Sequence, residues 1–203
     1  MLELPRSTEV NRRVPKEKLY AHATLTTEVR DLVKDQVESV VWRNKLAENT
    51  AGIATGETVK ELQVFAVTLR QRGLDKRVLQ VIAKAIPYKI LFVLIFGDEA
   101  QAWIEVAGTF YHTAWLAVDS LPLKFTGLNL DAVYENLARQ VAGGKLGEAG
   151  NIAAAVARDK QRQKLERAIA ALQKKSLREK QFNRQVELND ELKRLRKELA
   201  GLG

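Results

Sequence analysis

Residues 151–199 contain neither glycine nor proline, and this absence constrains the fold more than any other feature of the sequence. The segment is rich in alanine, leucine, lysine, arginine, glutamate and glutamine, which favour helices. It follows residues 143–150, of which four are glycine. A glycine-rich segment before a long helix-forming segment indicates a boundary. We therefore predict a body over residues 1–142, a linker over 143–150 and a helical arm over 151–203.

The body is predicted to have an α+β fold with a mainly antiparallel sheet flanked by helices. Residues 90–96 are the longest apolar run, and seven residues are too few for a membrane span, which needs roughly 20. The run therefore predicts a buried strand. Strands are also predicted at residues 40–46, 59–69, 101–106 and 110–118, and helices from Thr26, over 74–86 and over 130–141. Consecutive strands without an intervening helix favour antiparallel pairing. Residues 1–24 are expected to form an irregular segment lying on the body.

Positive charge is concentrated in the arm. Residues 151–203 hold 14 Lys or Arg against 7 Asp or Glu, whereas the first 150 residues hold 19 against 18. Five basic residues form the densest part of this charge: Lys174, Lys175, Arg178, Lys180 and Arg184. They are either a strip that binds nucleic-acid phosphates or the solvated flank of a coiled coil.

Apolar residues of the arm recur at spacings of four and three. The first group is Leu165, Ile169 and Leu172, and the second is Leu188, Leu192, Leu195, Leu199 and Leu202. The two groups do not share one register, so we predict a break near Ser176. Either a helical hairpin or one long helix that changes face would satisfy the pattern. In both cases the seam of Leu188, Leu192, Leu195 and Leu199 needs a partner, which is the body, a second copy of the chain or another protein.

Several kinds of chemistry have no support in the sequence. Without cysteine there is no disulfide, no thiolate nucleophile and no cysteine-ligated metal. His22 and His112 are far apart and are expected to be ordinary surface or hydrogen-bonded histidines. The first residues lack the apolar stretch of a signal peptide. We therefore expect a cytoplasmic protein with no membrane segment, no cofactor and no metal.

Glu61 and Lys45 are the weak candidates for catalysis. Glu61 is an acidic residue on a predicted central strand, and Lys45 lies on the strand before it. A divergent Mg²⁺-dependent nuclease would use such a pair to hold the metal and activate water. A structural ion pair is the more common outcome for an acid and a lysine on neighbouring strands.

A set of short phrases spans nearly the whole chain. They are Val41-Trp42-Arg43-Asn44-Lys45-Leu46, Val59-Lys60-Glu61-Leu62, Ala85-Ile86-Pro87 and Glu179-Lys180-Gln181-Phe182-Asn183. In their order and spacing they resemble a bacterial domain-of-unknown-function family, number 4391. The resemblance implies an accessory role in restriction-like phage-defence clusters that also encode helicases and DNA methyltransferases, and it carries no catalytic residues. We expect a non-enzymatic adaptor that docks such a subunit through its arm, or alternatively a direct DNA-binding protein.

Overall fold

The computed structural model describes residues 2, 4–21, 26–148 and 150–202. The chain divides into two compact units, Met1–Lys145 and Leu146–Gly203. The division falls within the glycine-rich segment. The first unit holds a sheet with its helices, and the second holds two long helices.

Among the described residues, seven strands form one sheet in the order β1-β2-β3-β4-β5-β6, and the short β7 pairs with β5. The strands are β1 (Glu9–Arg13), β2 (Val37–Leu46), β3 (Leu62–Leu69), β4 (Lys89–Phe96), β5 (Glu99–Val106), β6 (Thr109–His112) and β7 (Leu116–Ala117). All pairs are antiparallel except β3 with β4, which a helix connects. The predicted α+β class with a mainly antiparallel sheet is confirmed.

Several of the described helices begin at a residue whose side chain caps the first turn. The helices are α1 (Lys16–Ala21), α2 (Thr27–Gln36), α3 (Glu48–Ala51), α4 (Lys76–Ala85), α5 (Leu130–Ala142), α6 (Ile152–Arg178) and α7 (Phe182–Ala200). The side chains of Thr26, Asp75 and Asn129 accept hydrogen bonds from the first-turn amides of α2, α4 and α5. None of the helices in the described part is both long and apolar enough to cross a membrane.

The main core lies between one face of the sheet and helices α1, α2 and α4. Alternate residues of the central strands point into it, such as Phe65 and Val67 of β3 and Phe92 and Leu94 of β4. Helix α5 packs against β5 and β6. The predicted apolar strand at residues 90–96 is thus β4, and Ile90 to Leu94 are buried.

The N-terminal segment is more ordered than the sequence predicts. Instead of an irregular segment, β1 forms an edge strand on β2, and Asn44 Nδ2 donates to Thr8 Oγ1 at 2.9 Å. Four of the five residues of β1 are exposed, so it lacks the apolar alternation by which strands are recognised. Residues 22–25, and with them His22, lie outside the described residues.

Two strand predictions also need correction. The strand predicted over residues 110–118 is interrupted after His112, where Thr113 takes part in hydrogen bonds with the backbone of Ala102 instead of continuing the ladder. The chain rejoins β5 only at Leu116. The strand predicted from residue 40 begins directly after α2, at Val37, because Val37 pairs with Leu69 of β3.

Candidate functional site

Helices α6 and α7 form an antiparallel hairpin. Ser176 Oγ donates to Asn189 Oδ1 at 2.9 Å near the turn, and Gln161 Nε2 lies 3.4 Å from Glu198 Oε1 at the other end. Residues early in α6 therefore lie beside residues late in α7. Of the two arrangements that the sequence leaves open, the structure has the hairpin.

The turn between the two helices is built without glycine or proline. Glu179 Oε1 accepts hydrogen bonds from the amides of Lys180 at 2.9 Å and Gln181 at 3.0 Å, just before α7 begins. The bond from the Gln181 amide, together with that from Lys180, holds the pKa of Glu179 below its ordinary value. The break is therefore at residues 179–181, slightly after the predicted position near Ser176.

The hairpin covers half of the leucine seam. Leu188 and Leu192 are only 6% exposed, and Asn189, which lies one turn before Leu192, bonds to α6. Leu195 and Leu199 remain half-buried. Partner binding by these four leucines stays a prediction, but only Leu195 and Leu199 retain appreciable surface for it.

Large apolar side chains are exposed around the turn instead. Leu177 is 84% exposed, Phe182 76% and Val186 43%. All five predicted nucleic-acid-binding residues, Lys174, Lys175, Arg178, Lys180 and Arg184, are exposed in the same region. We call these eight residues the hairpin tip. Sequence reasoning missed its apolar members because it followed the heptad seam, and these residues do not belong to that spacing.

The hairpin tip carries an excess of positive charge. Its one neighbouring acid within residues 174–184 is Glu179, whose carboxylate accepts from two amides of the turn, with Arg184 Nε 3.9 Å from its Oε2. Within the described part of the chain, Lys174, Lys175, Arg178 and Lys180 form no ion pair. The tip therefore combines apolar surface with cations that are free to meet anionic groups.

Lys45 and Glu61, the weak catalytic candidates in the sheet unit, form an ion pair, which is the more common outcome expected from the sequence. Lys45 Nζ lies 2.8 Å from Glu61 Oε1, and Gln63 Nε2 donates to Glu61 Oε2 at 2.9 Å. Both carboxylate oxygens are thus engaged, which is the arrangement of a structural ion pair. No group of three or more His, Asp or Glu residues that could hold a metal ion occurs in the part that the structure describes.

Glu61 also lines a cleft of about 480 Å³ in the sheet unit. The cleft lies where β3 and β4 begin and where β5 ends, beside the last turn of α4. His112 lies elsewhere, on β6, and its ring stacks on Trp103 with centroids 4.4 Å apart. The cleft and the hairpin tip are candidate functional sites among the described residues.

Comparison with known proteins gives one result. A family model described as Domain of unknown function (DUF4391) matches residues 2–199. No curated protein and no solved structure shows a significant match to the chain. The family description states no ligand, reaction or partner, so the function has to be argued from the geometry.

Proposed function

Because the chain belongs to the DUF4391 family, which its sequence phrases also resemble, we propose that it is a non-enzymatic adaptor of a bacterial DNA-targeting defence system. In this proposal the hairpin tip docks a protein partner, a helicase or DNA methyltransferase subunit. The observation that carries the proposal is the exposure of Leu177 (84%) and Phe182 (76%) at the turn of the two-helix hairpin. The docking residues differ from the predicted leucine seam because Leu188 and Leu192 are buried.

Exposed apolar side chains of this size favour a protein partner. Full burial of a Leu or Phe side chain is worth about 1.5–3 kcal/mol, and aromatic side chains are frequent anchors at the centre of interfaces. The surrounding cations would accelerate and orient association with an acidic surface. The partner we infer therefore has an apolar pocket with an acidic rim.

The test is co-purification with candidate helicase and DNA methyltransferase subunits from the native host. Substituting Leu177→Ser together with Phe182→Ser should abolish capture, because both anchors are lost while the buried hairpin contacts remain. Leu128→Ser is the matched control, since Leu128 is 95% exposed but lies in the sheet unit. Undiminished capture by the double variant would refute the tip as the docking surface. Loss of capture only on Leu195→Asp with Leu199→Asp would assign docking to the seam instead.

A second candidate function, direct DNA binding, is favoured by the five exposed cations of the tip. Each phosphate that is neutralised releases counterions, so affinity should fall steeply with salt. Charge reversal of Lys174, Lys175 and Arg178 to Glu should weaken DNA binding and make its salt dependence shallower by about one unit of slope per lost contact. The same reversal of Arg194, Arg196 and Lys197 is the control, because these exposed residues lie near the far end of α7. Equal effects of the two triple variants would count against the tip as a DNA site.

A further inference from the structure

The walls of the cleft in the sheet unit are held in place by hydrogen bonds from the rest of that unit. Asp131 of α5 accepts hydrogen bonds from the amide of Glu57 at 2.6 Å, the amide of Val59 at 2.7 Å and the hydroxyl of Thr58 at 2.8 Å. Gly56 packs closely against this carboxylate, since a Cβ atom at its position would lie only 2.2 Å from the Asp131 Cγ. The chain before β3 is thereby fixed as a preorganised wall, as is typical of small-molecule sites.

The opposite wall contains a turn with an unusual backbone. Ala107 has a φ angle of 46° and Gly108 one of 73°, and both line the cleft between β5 and β6. Residues other than glycine, asparagine and aspartate rarely adopt positive φ. The Tyr134 hydroxyl donates to the Glu105 carbonyl and fastens this wall to α5. The strain in this turn lies at Ala107, since glycine adopts positive φ at no steric cost.

The chemistry of the cleft is mixed. Ile90 and Phe92 are buried apolar residues of its lining, whereas Tyr88 is 42% exposed. Lys84 lies at the end of α4 and makes no ion pair or hydrogen bond with any described residue. Lys60 Nζ donates one hydrogen bond, to the Gly56 carbonyl at 2.8 Å, and an ammonium has three donors.

The balance of charge in the cleft is positive. Of its two acids, Glu61 is neutralised by Lys45, which leaves Glu105 against the cations Lys60, Lys84 and Lys89. Lys89 is partly committed elsewhere, because its Nζ lies 5.3 Å from the ring centroid of Tyr134. An anionic ligand is favoured at such a site.

We propose that the cleft binds a nucleotide unit, either a free mononucleotide or a residue of a single-stranded nucleic acid. The base lies against Tyr88, because every base offers a π face for aromatic stacking. The phosphate lies by the ammonium groups of Lys60 and Lys84. Glu61 accepts hydrogen bonds from amino or hydroxyl groups of the ligand, since a carboxylate has about four acceptor positions and Lys45 and Gln63 occupy two. This site is independent of the hairpin tip and of the proposed adaptor function.

The experiment is titration calorimetry of the full-length protein with AMP, with inorganic phosphate and with a short thymidine oligonucleotide. The oligonucleotide arm uses the Lys174→Glu, Lys175→Glu, Arg178→Glu background, so that binding at the hairpin tip does not contribute. Tyr88→Ala and Lys84→Glu are the test variants. Both side chains are exposed, so folding should be retained, and circular dichroism checks it. Lys76→Glu is the matched control, because Lys76 is exposed at the opposite end of α4.

We expect AMP to bind more tightly than phosphate. Tyr88→Ala and Lys84→Glu should each weaken the affinity for AMP by about tenfold, whereas Lys76→Glu should leave this affinity unchanged. Binding of the oligonucleotide but not of AMP, with the same two losses, supports the site and identifies nucleic acid as the source of the nucleotide unit. The absence of binding in every arm overturns the proposal. Binding that is indifferent to Tyr88→Ala and Lys84→Glu overturns it as well.

Discussion

Asp131 connects α5 to the chain before β3, which forms one wall of the cleft. Its carboxylate accepts from two backbone amides within 2.7 Å and from the Thr58 hydroxyl. Asp131→Asn places an amide donor opposite backbone donors, so we expect a loss of about 2 kcal/mol in the free energy of unfolding. Denaturant titration followed by tryptophan fluorescence measures it, because Trp42, Trp103 and Trp115 all belong to the sheet unit. Asp35→Asn, at an exposed position, should change little.

The same side chain predicts a dependence on pH. Burial alone would raise the pKa of Asp131, but the hydrogen bonds from Val59, Thr58 and Glu57 outweigh it and lower the pKa. A carboxyl group whose pKa is lower in the folded state contributes stability above its unfolded pKa of about 3.9, and this is lost as the pH falls through the folded pKa. The difference in stability between the original protein and Asp131→Asn should therefore shrink below about pH 4. A difference that is constant from neutral to acidic pH would contradict this account.

The turn at Ala107 and Gly108 yields a pair of predictions with opposite signs. Both residues have positive φ, the backbone of a two-residue hairpin turn that prefers Asn-Gly. Ala107→Asn should therefore raise the free energy of unfolding by about 0.5–1 kcal/mol, and Gly108→Ala should lower it by about 1 kcal/mol. Thermal melting of the two variants side by side checks the signs. Destabilisation by Ala107→Asn would show that the turn is not strained at this position.

Contacts between side chains could be predicted from the sequence only for residues on segments that follow one another in the chain. Lys45 lies on β2, and Glu61 lies directly before β3 rather than on a central strand as predicted. Their ion pair could still be anticipated, because the two segments are neighbours. Asp131 and Val59 are 72 residues apart, and no local pattern connects an aspartate in the first turn of a helix to a distant loop. The hydrogen bonds of Asp131, and therefore the wall of the cleft, could be identified only from the tertiary structure.

At the scale of the element, the hairpin depends on the burial of leucines between α6 and α7. Leu192 is 6% exposed, whereas Leu177 is 84% exposed. Leu192→Ala should destabilise the hairpin by about 2–4 kcal/mol, because it removes buried apolar atoms and leaves a cavity in their place. Leu177→Ala, the same chemical change at an exposed position, should cost under about 0.5 kcal/mol. Hydrogen exchange of the α6 and α7 amides, followed by mass spectrometry, distinguishes the two. Equal protection in both variants would mean that Leu192 is not part of the hairpin core.

Elements with strong periodicity or caps were predictable, and elements without them were not. Helix α5 begins at the predicted residue 130, directly after its cap Asn129, and Pro87 follows the end of α4. By contrast, β1 pairs through backbone groups while its side chains face water, so its sequence has no apolar alternation. The hairpin turn is fixed by the Glu179 side chain rather than by glycine or proline. A glutamate within a lysine-rich sequence that favours helix does not by itself indicate a turn, and its hydrogen bonds are visible only in the structure.

At the scale of the whole molecule, charge is divided between the two units. Residues 1–145 hold 19 basic and 17 acidic residues, and residues 146–203 hold 14 and 8. A net charge near zero on the sheet unit and a positive charge on the hairpin unit mean that the attraction to anionic surfaces resides in the hairpin. This division could be predicted from the sequence because net charge depends only on composition. The identity of the anionic partner does not follow from composition, because net charge carries no information on shape or on hydrogen-bonding groups.

Residues 1–145 should fold without the hairpin unit. Every described strand and the core formed with α1, α2 and α4 lie in this fragment, and α5 ends before its last residue. We expect the fragment to unfold cooperatively, with the tryptophan emission of the full chain, since it retains all three tryptophans. It should still bind AMP if the cleft is a nucleotide site, and it should fail to capture the protein partner if the hairpin tip is the docking surface. A folded fragment that captures the partner as well as the full chain does would remove the hairpin from the adaptor function while leaving the cleft untouched.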